Sequence, residues 1–299
     1  MTKVLIVRRR RLGHSTCKAF SELLEQQGLN CKVWRNDRSF PMEWLQHGSE
    51  DSTYVLRWGC TATIPMMTTG PVSGRYLNQA AGIHAVNNKL QFLVNLPEMP
   101  TGLLPVITRE RLGTLDQVDT YPQWVVRPQH HSQGRNLLLK SFGELQESIQ
   151  NSLTPLYARP LVQKKAEYRA YVINGKVVNL AKKTPANPDA VAWNVAQGGR
   201  FDNVRWGDWP INVVDLACRI FPHTGLNITG IDIMVDHDDN AWFVEANSAP
   251  SLPYNSDGSH TYRQKCMAKG VAYTIANQEI FPYQKGETWR EYVHPAIGR

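Results

Sequence analysis

Two carboxylates and a carboxamide stand close together in the stretch from Gly230 to Pro253, GIDIMVDHDDNAWFVEANSAPSLP. Asp232, Glu245 and Asn247 offer hard oxygen donors of the kind that hold Mg²⁺ and leave coordination positions open for phosphate oxygens. The apolar runs Ile231 to Val235 and Ala241 to Ala246 are broken by His237-Asp238-Asp239-Asn240. That pattern predicts an antiparallel hairpin. Alternation sets Asp232 on the face of Met234 and Glu245 on the face of Asn247, so folding the hairpin brings the three donors together at its far end. On spacing alone, a hairpin with ordinary surface acids carries about equal weight.

A second group of charges lies upstream. Glu167-Tyr168-Arg169 opens a strand that runs to Ile173, and Asn174-Gly175 is a two-residue hairpin turn into Lys176 to Ala181, followed by Lys182 and Lys183. Alternation places Glu167 and Arg169 on one face. An exposed cross-strand ion pair, worth under about 1 kcal/mol, is the ordinary explanation. His130 and His131 are adjacent on an extended loop, so their side chains diverge, and no further ligand set accompanies them. Trp206, Trp209 and Trp242 suit base stacking in principle, but packing is the weightier reading of aromatics at this density. No Ser-His-Asp or Cys-His set is evident.

The elements that must carry these groups begin with a strand at Lys3 to Val7 and a helix from Ser15 to Gln27, capped by Ser15 and ended by Gly28. Strands at Cys31 to Trp34 and Thr53 to Trp58 continue a parallel α/β layer. Arg8 to Arg11 follow the first strand, where open α/β sheets place a ligand crevice, although surface charge is the weightier reading. Gly70 to Gly74 is a turn-rich break, and Arg75 to Ala85 reads as a connection. A short helix follows over Asn87 to Val94, then strand, loop and strand across Trp124 to Pro128 and Ser132 to Leu137. Ile211 to Phe221 is an amphipathic helix with Val213, Val214, Ala217, Cys218 and Phe221 inward. Thr261 to Ala276 is another helix, and Trp289 to Arg299 a tail.

A chain of 299 residues, 42% hydrophobic, can build two or three packed lobes. No apolar run reaches the roughly 20 residues of a membrane span, and the start enters a strand rather than a signal peptide, so a soluble, cytoplasmic protein is expected. Five cysteines at scattered spacings, without a CxxC pair, argue for reduced thiols over disulfides or zinc. The formal charge of +7 favours polyanionic partners, yet no nucleic-acid-binding signature supports that class.

Gly-Ile-Asp-Ile-Met-Val followed by Phe-Val-Glu-Ala-Asn-Ser-Ala-Pro resembles the metal-binding hairpin of the ATP-grasp superfamily. Together with Glu167-Tyr168-Arg169, Val177 to Pro185, Trp193-Asn194 and Gly198-Gly199-Arg200-Phe201, it is most similar to a phage-encoded group predicted to be carboxylate–amine ligases. The similarity spans roughly residues 85 to 255. It implies an α/β protein with an N-terminal open α/β substrate domain (1–83), a central lobe with a phosphate flap (84–160) and a C-terminal lobe with the metal hairpin (161–299), the two lobes clasping ATP. A phage protein would act in the host cytoplasm.

The resemblance also implies roles. Asp232, Glu245 and Asn247 would hold one or two Mg²⁺, with Mn²⁺ an acceptable substitute. Lys89 would reach ATP phosphate, although Asn88 stands where the family has an acid. Arg127 replaces the usual lysine before Pro128, a planar fork in place of a point charge, and Gly134 is the one glycine of the flap. The backbone of Leu156 to Val162 would bind adenine, with Arg159 in place of the usual Glu or Gln. Pro160 has no N–H, so neighbours such as Leu161 must serve. Glu167 would bind ribose, and Arg169 would face the γ-phosphate. Lys182 or Lys183 would enter the site, with Asn194 near phosphate or metal and Arg57 a candidate for a substrate carboxylate. The expected chemistry is activation of a carboxylate as an acyl phosphate, then displacement by an amine from an amino acid, peptide or protein terminus. Phosphorylation without ligation, a basic nucleic-acid-associated protein and an ATP-binding scaffold without catalysis are the alternatives.

Overall fold

The computed structural model describes residues 2–10, 13–41, 53–64, 76–99, 101–113, 121–129, 137–187, 190–193 and 198–278. Its first layer is a parallel sheet in the order β2-β1-β3-β4, from β1 (Lys3–Arg8), β2 (Asn30–Arg35), β3 (Thr53–Trp58) and β4 (Tyr76–Leu77). Every residue of β1 is buried, as expected for a central parallel strand covered on both faces. Helix α1 (His14–Glu25) covers one face with Cys17, Phe20, Leu23 and Leu24. It starts at Gly13 rather than at a serine cap: Gly13 is left-handed (φ 71°) and makes no side-chain cap bond. A Cβ there would lie 2.8 Å from the Trp58 ring, so both conformation and space demand glycine.

The expected connection at Arg75 to Ala85 instead holds β4 and most of a helix, α2 (Ala80–Asn87). Gly82 marks where that helix meets Gly225 backbone to backbone. A second short helix, α3 (Lys89–Asn95), restarts at once because the Asn88 side chain accepts from the Gln91 N–H at 3.3 Å. The central sheet is antiparallel, in the order β6-β5-β7: β5 (Trp124–Pro128), β6 (Leu138–Lys140) and β7 (Leu156–Pro160). Helix α4 (Phe142–Asn151) backs it, opened by a Ser141–Glu144 capping box.

The largest sheet is antiparallel and ordered β10-β9-β8-β11-β12: β8 (Lys164–Ile173), β9 (Lys176–Thr184), β10 (Arg200–Asn203), β11 (Ile228–Asp236) and β12 (Ala241–Asn247). Asn174 and Gly175 both have positive φ, 45° and 80°, the requirement of a two-residue turn between twisted strands. One face packs on α5 (Ile211–Ile220) through Val213, Val214, Leu216, Ala217 and Ile220. Part of the other face packs on α6 (Tyr262–Ile275), begun by a Thr261–Gln264 capping box. Ile173, Val178 and Ile228 of this sheet share one cluster with Met267 and Val271 of α6 and with Val4, Phe20 and Leu56 of the first layer. The first layer and the last lobe therefore have a common core. The tryptophans pack: Trp206 and Trp209 meet edge to face at 4.5 Å, and the Trp242 indole donates to Asp236 at 2.9 Å.

Candidate active site

Two β-bulges decide which side chains meet. After the Asn174-Gly175 turn, Ile173 pairs with Lys176 and Val172 with Val177. Continued unbroken, that register would set Lys182 opposite Glu167. Tyr171 instead pairs with Asn179, and beyond this bulge Glu167 stands opposite Lys183. Lys183 is 5% exposed, whereas Lys182, opposite Tyr168, faces solvent. The second hairpin repeats the device. Ile233 pairs with Phe243, the next pair is Asp232 with Glu245, and Val244 is the extra residue. Without it, Asp232 would face Val244.

The result is a buried lattice of opposite charges. Arg169 grips Asp232 with two parallel bonds, Nε to Oδ1 at 2.5 Å and Nη2 to Oδ2 at 2.8 Å. Lys183 donates to Asp232 Oδ2 at 2.7 Å and also to Glu167 Oε1. The other Glu167 oxygen accepts from Lys164 at 2.5 Å. Lys89, on the first turn of α3, donates to Glu245 Oε2, and the Asn247 amide donates to Glu245 Oε1 at 3.2 Å. These groups are no surface pairs: Glu167 is 5% and Asp232 1% exposed. Burial alone would raise the Asp232 pKa, but Arg169 and then Lys183 outweigh it and hold the carboxyl down to about 2. Glu245 follows the same logic: burial and the neighbouring Asp232 push it up, Lys89 pulls it down, and the net is a lowered pKa. Burial pulls Lys183 down, but Asp232 and Glu167 reverse this and leave its pKa raised.

Part of the lattice lines a cleft between the central sheet and the large sheet, with about 1150 Å³ of empty space, open solvent included. Lys89, Arg127, Arg159, Leu161, Lys164, Glu167, Lys183, Asp232 and Glu245 are among its lining residues. Arg127 bonds the Tyr157 hydroxyl across the β5–β7 pair. Arg159 spans the two sheets. Its Nη2 donates to the Phe243 carbonyl at 2.6 Å and its Nη1 to the Val244 carbonyl at 3.2 Å, both at the bulge that turns Glu245 inward. Burial pulls its pKa down to about 10.

Some expected roles change. The Leu161 N–H is already given to the Gln123 carbonyl at 2.9 Å, so in this structure it is not free to bind a base. Arg57 is buried and spends Nη1 on the Cys60 and Ala62 carbonyls at 3.2 and 2.7 Å, with its guanidinium over Tyr76, so it braces a loop instead of presenting a free fork. Arg8 likewise bonds the carbonyls of Arg9 and Arg10 and the His14 ring. Gly134, His130, His131, Asn194 and Arg11 lie outside the described residues. Sequence reasoning overlooked Lys164, because alternation sets it on the face opposite Glu167 and only a further bulge, with Lys165 as the extra residue, turns it inward. It also overlooked Arg263 on α6, beyond the stretch of resemblance.

Asp232, Glu245 and Asn247 converge on adjacent strands, and their oxygens suit a hard divalent cation. No cluster of three His, Cys, Asp or Glu side chains able to hold a metal exists among the described residues.

No protein-family model matches the sequence, and no curated protein does. Solved structures do match over nearly the whole chain. An ATP-grasp ligase associated with ribosomal peptide modification in Chryseobacterium gregarium, in complex with ADP and a leader and core peptide, superposes with a TM-score of 0.61 at 12% identity, covering 93% of this chain and 97% of that one. The macrocyclase MdnC, bound with the precursor peptide MdnA from Microcystis aeruginosa MRC, gives 0.58 at 16% identity over 93% and 100%. The D-cycloserine synthetase DcsG gives 0.60 at 13% identity over 91% and 99%. The fold is ATP-grasp. Within this fold the cleft lies between the central and the large sheet, and Asp232, Met234 and Phe243 to Ala246 of the bulged hairpin line it. Among the described residues no helix is long and apolar enough to cross a membrane.

Proposed function

We propose that the protein is an ATP-dependent carboxylate–amine ligase that forms an amide through an acyl phosphate. The observation that carries this reading is the buried lattice that partly lines the cleft. Burying so many ions costs several kcal/mol each unless they are paired, and a stable fold alone has no need of them. Lys89, Arg127, Arg159, Lys164 and Lys183 line the cleft and outnumber Glu167, Asp232 and Glu245, a surplus of positive charge suited to a polyphosphate. Solved ATP-grasp neighbours have been captured with Mg and ADP or with AMPPNP, which supports the same occupants here.

In the proposed reaction a substrate carboxylate oxygen attacks the γ-phosphorus of ATP and ADP departs with the electron pair of the broken P–O bond. An amine then adds to the acyl carbon and phosphate leaves. Asp232, Glu245 and Asn247 would hold Mg²⁺, which supplies charge neutralisation and Lewis acidity at the phosphates. Lys89 and Lys183 line the cleft beside these acids and would face the phosphate oxygens. Arg169 stays beside Asp232, where phosphoryl charge spreads in transfer. Glu167 would meet the ribose hydroxyls and the Val162 amide would meet the base; both residues line the cleft. Neighbours bound to leader and core peptides support a peptide as one substrate.

The test is thermal stabilisation by AMPPNP with and without Mg²⁺, on the wild type and on Glu245→Ala, followed by ADP release with hydroxylamine as amine. A Mg²⁺-dependent shift absent from Glu245→Ala is expected. No shift in the wild type would sink the nucleotide assignment, and ADP without any hydroxamate would favour a phosphotransfer enzyme instead.

A further inference from the structure

Arg263 is a buried cation that the cleft does not use. It is 7% exposed and sits in the first turn of α6, with its guanidinium 5.3 Å from the Tyr171 ring centre and 5.4 Å from that of Phe201. Among the described residues its guanidinium meets one protein acceptor, the Phe201 carbonyl at 3.3 Å, and its buried Nε meets none. No carboxylate forms an ion pair with it among the described residues. Asp202, which feels its charge, is instead bonded by Thr184 at 2.6 Å and Arg200 at 3.1 Å. A guanidinium left so poorly matched is costly unless an anion completes it.

Its position says which anion. Phe201 stands opposite Lys183, and the Arg169 guanidinium lies 4.8 Å from the same ring. Neither Arg169, Phe201 nor Arg263 lines the cleft between the sheets. Arg263 therefore shares the Phe201 ring with Arg169 and Lys183, so an anion held by it would lie close to the Arg169–Asp232 pair.

We propose that Arg263 holds a second carboxylate of the acid substrate, so that the enzyme takes dicarboxylic acids or acidic peptide segments, one carboxylate being activated at Arg169 and the other bound by Arg263 beside the Tyr171 and Phe201 rings. This subsite rests on the ligase reading. Isothermal titration of the protein saturated with ADP and Mg²⁺ compares glutarate with butyrate, which lacks the second carboxylate. Glutarate should bind about tenfold more tightly. Arg263→Met should abolish that preference and Arg263→Lys should retain part of it. A purely structural role would weaken both acids alike and leave their ratio unchanged. Equal affinities in the wild type, or an intact preference in Arg263→Met, overturn the subsite. If ADP with Mg²⁺ gives no binding heat, the ligase reading fails. A glutarate preference in the nucleotide-free protein would then still show the anion subsite, and its absence would remove both.

Discussion

Replacing Asp232 with alanine takes the partner from two buried cations at once, Arg169 and Lys183. A loss of about 3–5 kcal/mol in urea unfolding is expected, against less than about 0.5 kcal/mol for Lys182→Ala on the outer face. The acid limb carries a second signature. A carboxyl held at about 2 in the fold contributes fully above its ordinary value of 3.8, and the contribution is lost as pH falls toward 2. The stability gap between wild type and Asp232→Asn should therefore be constant from pH 7 to about 5 and shrink below about pH 4. Lys183→Met should abolish ADP formation while Lys182→Met preserves it; equal losses would reject the inward assignment. Glu167 and Arg169 were legible in the sequence because alternation sets them on one face, whereas Asp232 meets Glu245 only through the extra residue Val244. The choice between the two lysines was not legible, since it depends on one extra residue in the ladder. Arg263 was also hidden, because nothing in a helical stretch more than 60 residues from Phe201 announces that its side chain reaches that ring.

At the scale of elements, bulges do the positioning and Arg159 steadies one of them. The carbonyls of Phe243 and Val244 lie on an edge strand, where no neighbouring strand exists to take them. The departure from the usual Glu or Gln at 159 thus acquires a structural reason. Arg159→Met is expected to cost about 1–3 kcal/mol and to weaken Mg²⁺–AMPPNP stabilisation disproportionately, because Glu245 loses its fixed aim. Unchanged nucleotide stabilisation would show that the bulge holds without it. Two glycines offer a contrast within helices. A Cβ on Gly82 would lie 2.3 Å from the Gly225 carbonyl oxygen, so Gly82→Ala should destabilise by about 1–3 kcal/mol. Gly143 in α4 has nothing within 4 Å, and Gly143→Ala should gain up to about 1 kcal/mol. The α2 helix escaped sequence reading for a related reason: its glycine serves a contact with a distant turn, and locally it reads as a break.

Across the whole molecule, the sheets divide the labour. The central and large sheets enclose the cleft, Lys89 reaches it from the helix that joins the first layer to the central sheet, and α6 brings Arg263 to the Phe201 ring that Arg169 also faces. The α/β first layer and the metal-type hairpin were readable from hydrophobic runs, whereas the order of the large sheet was not. In that order β8 lies between β9 and β11, so segments well separated in sequence become neighbours.

The core shared by the first layer and α6 has a consequence for synthesis. Met267 and Val271 complete a cluster begun by Val4, Phe20 and Leu56. A ribosome adds roughly 5–20 residues per second, so the growing chain must wait on the order of 10–50 s before that surface can close. The N-terminal layer, although first out of the exit tunnel, is among the last parts to reach its final burial, and it is there that a chaperone would find apolar surface on the nascent chain.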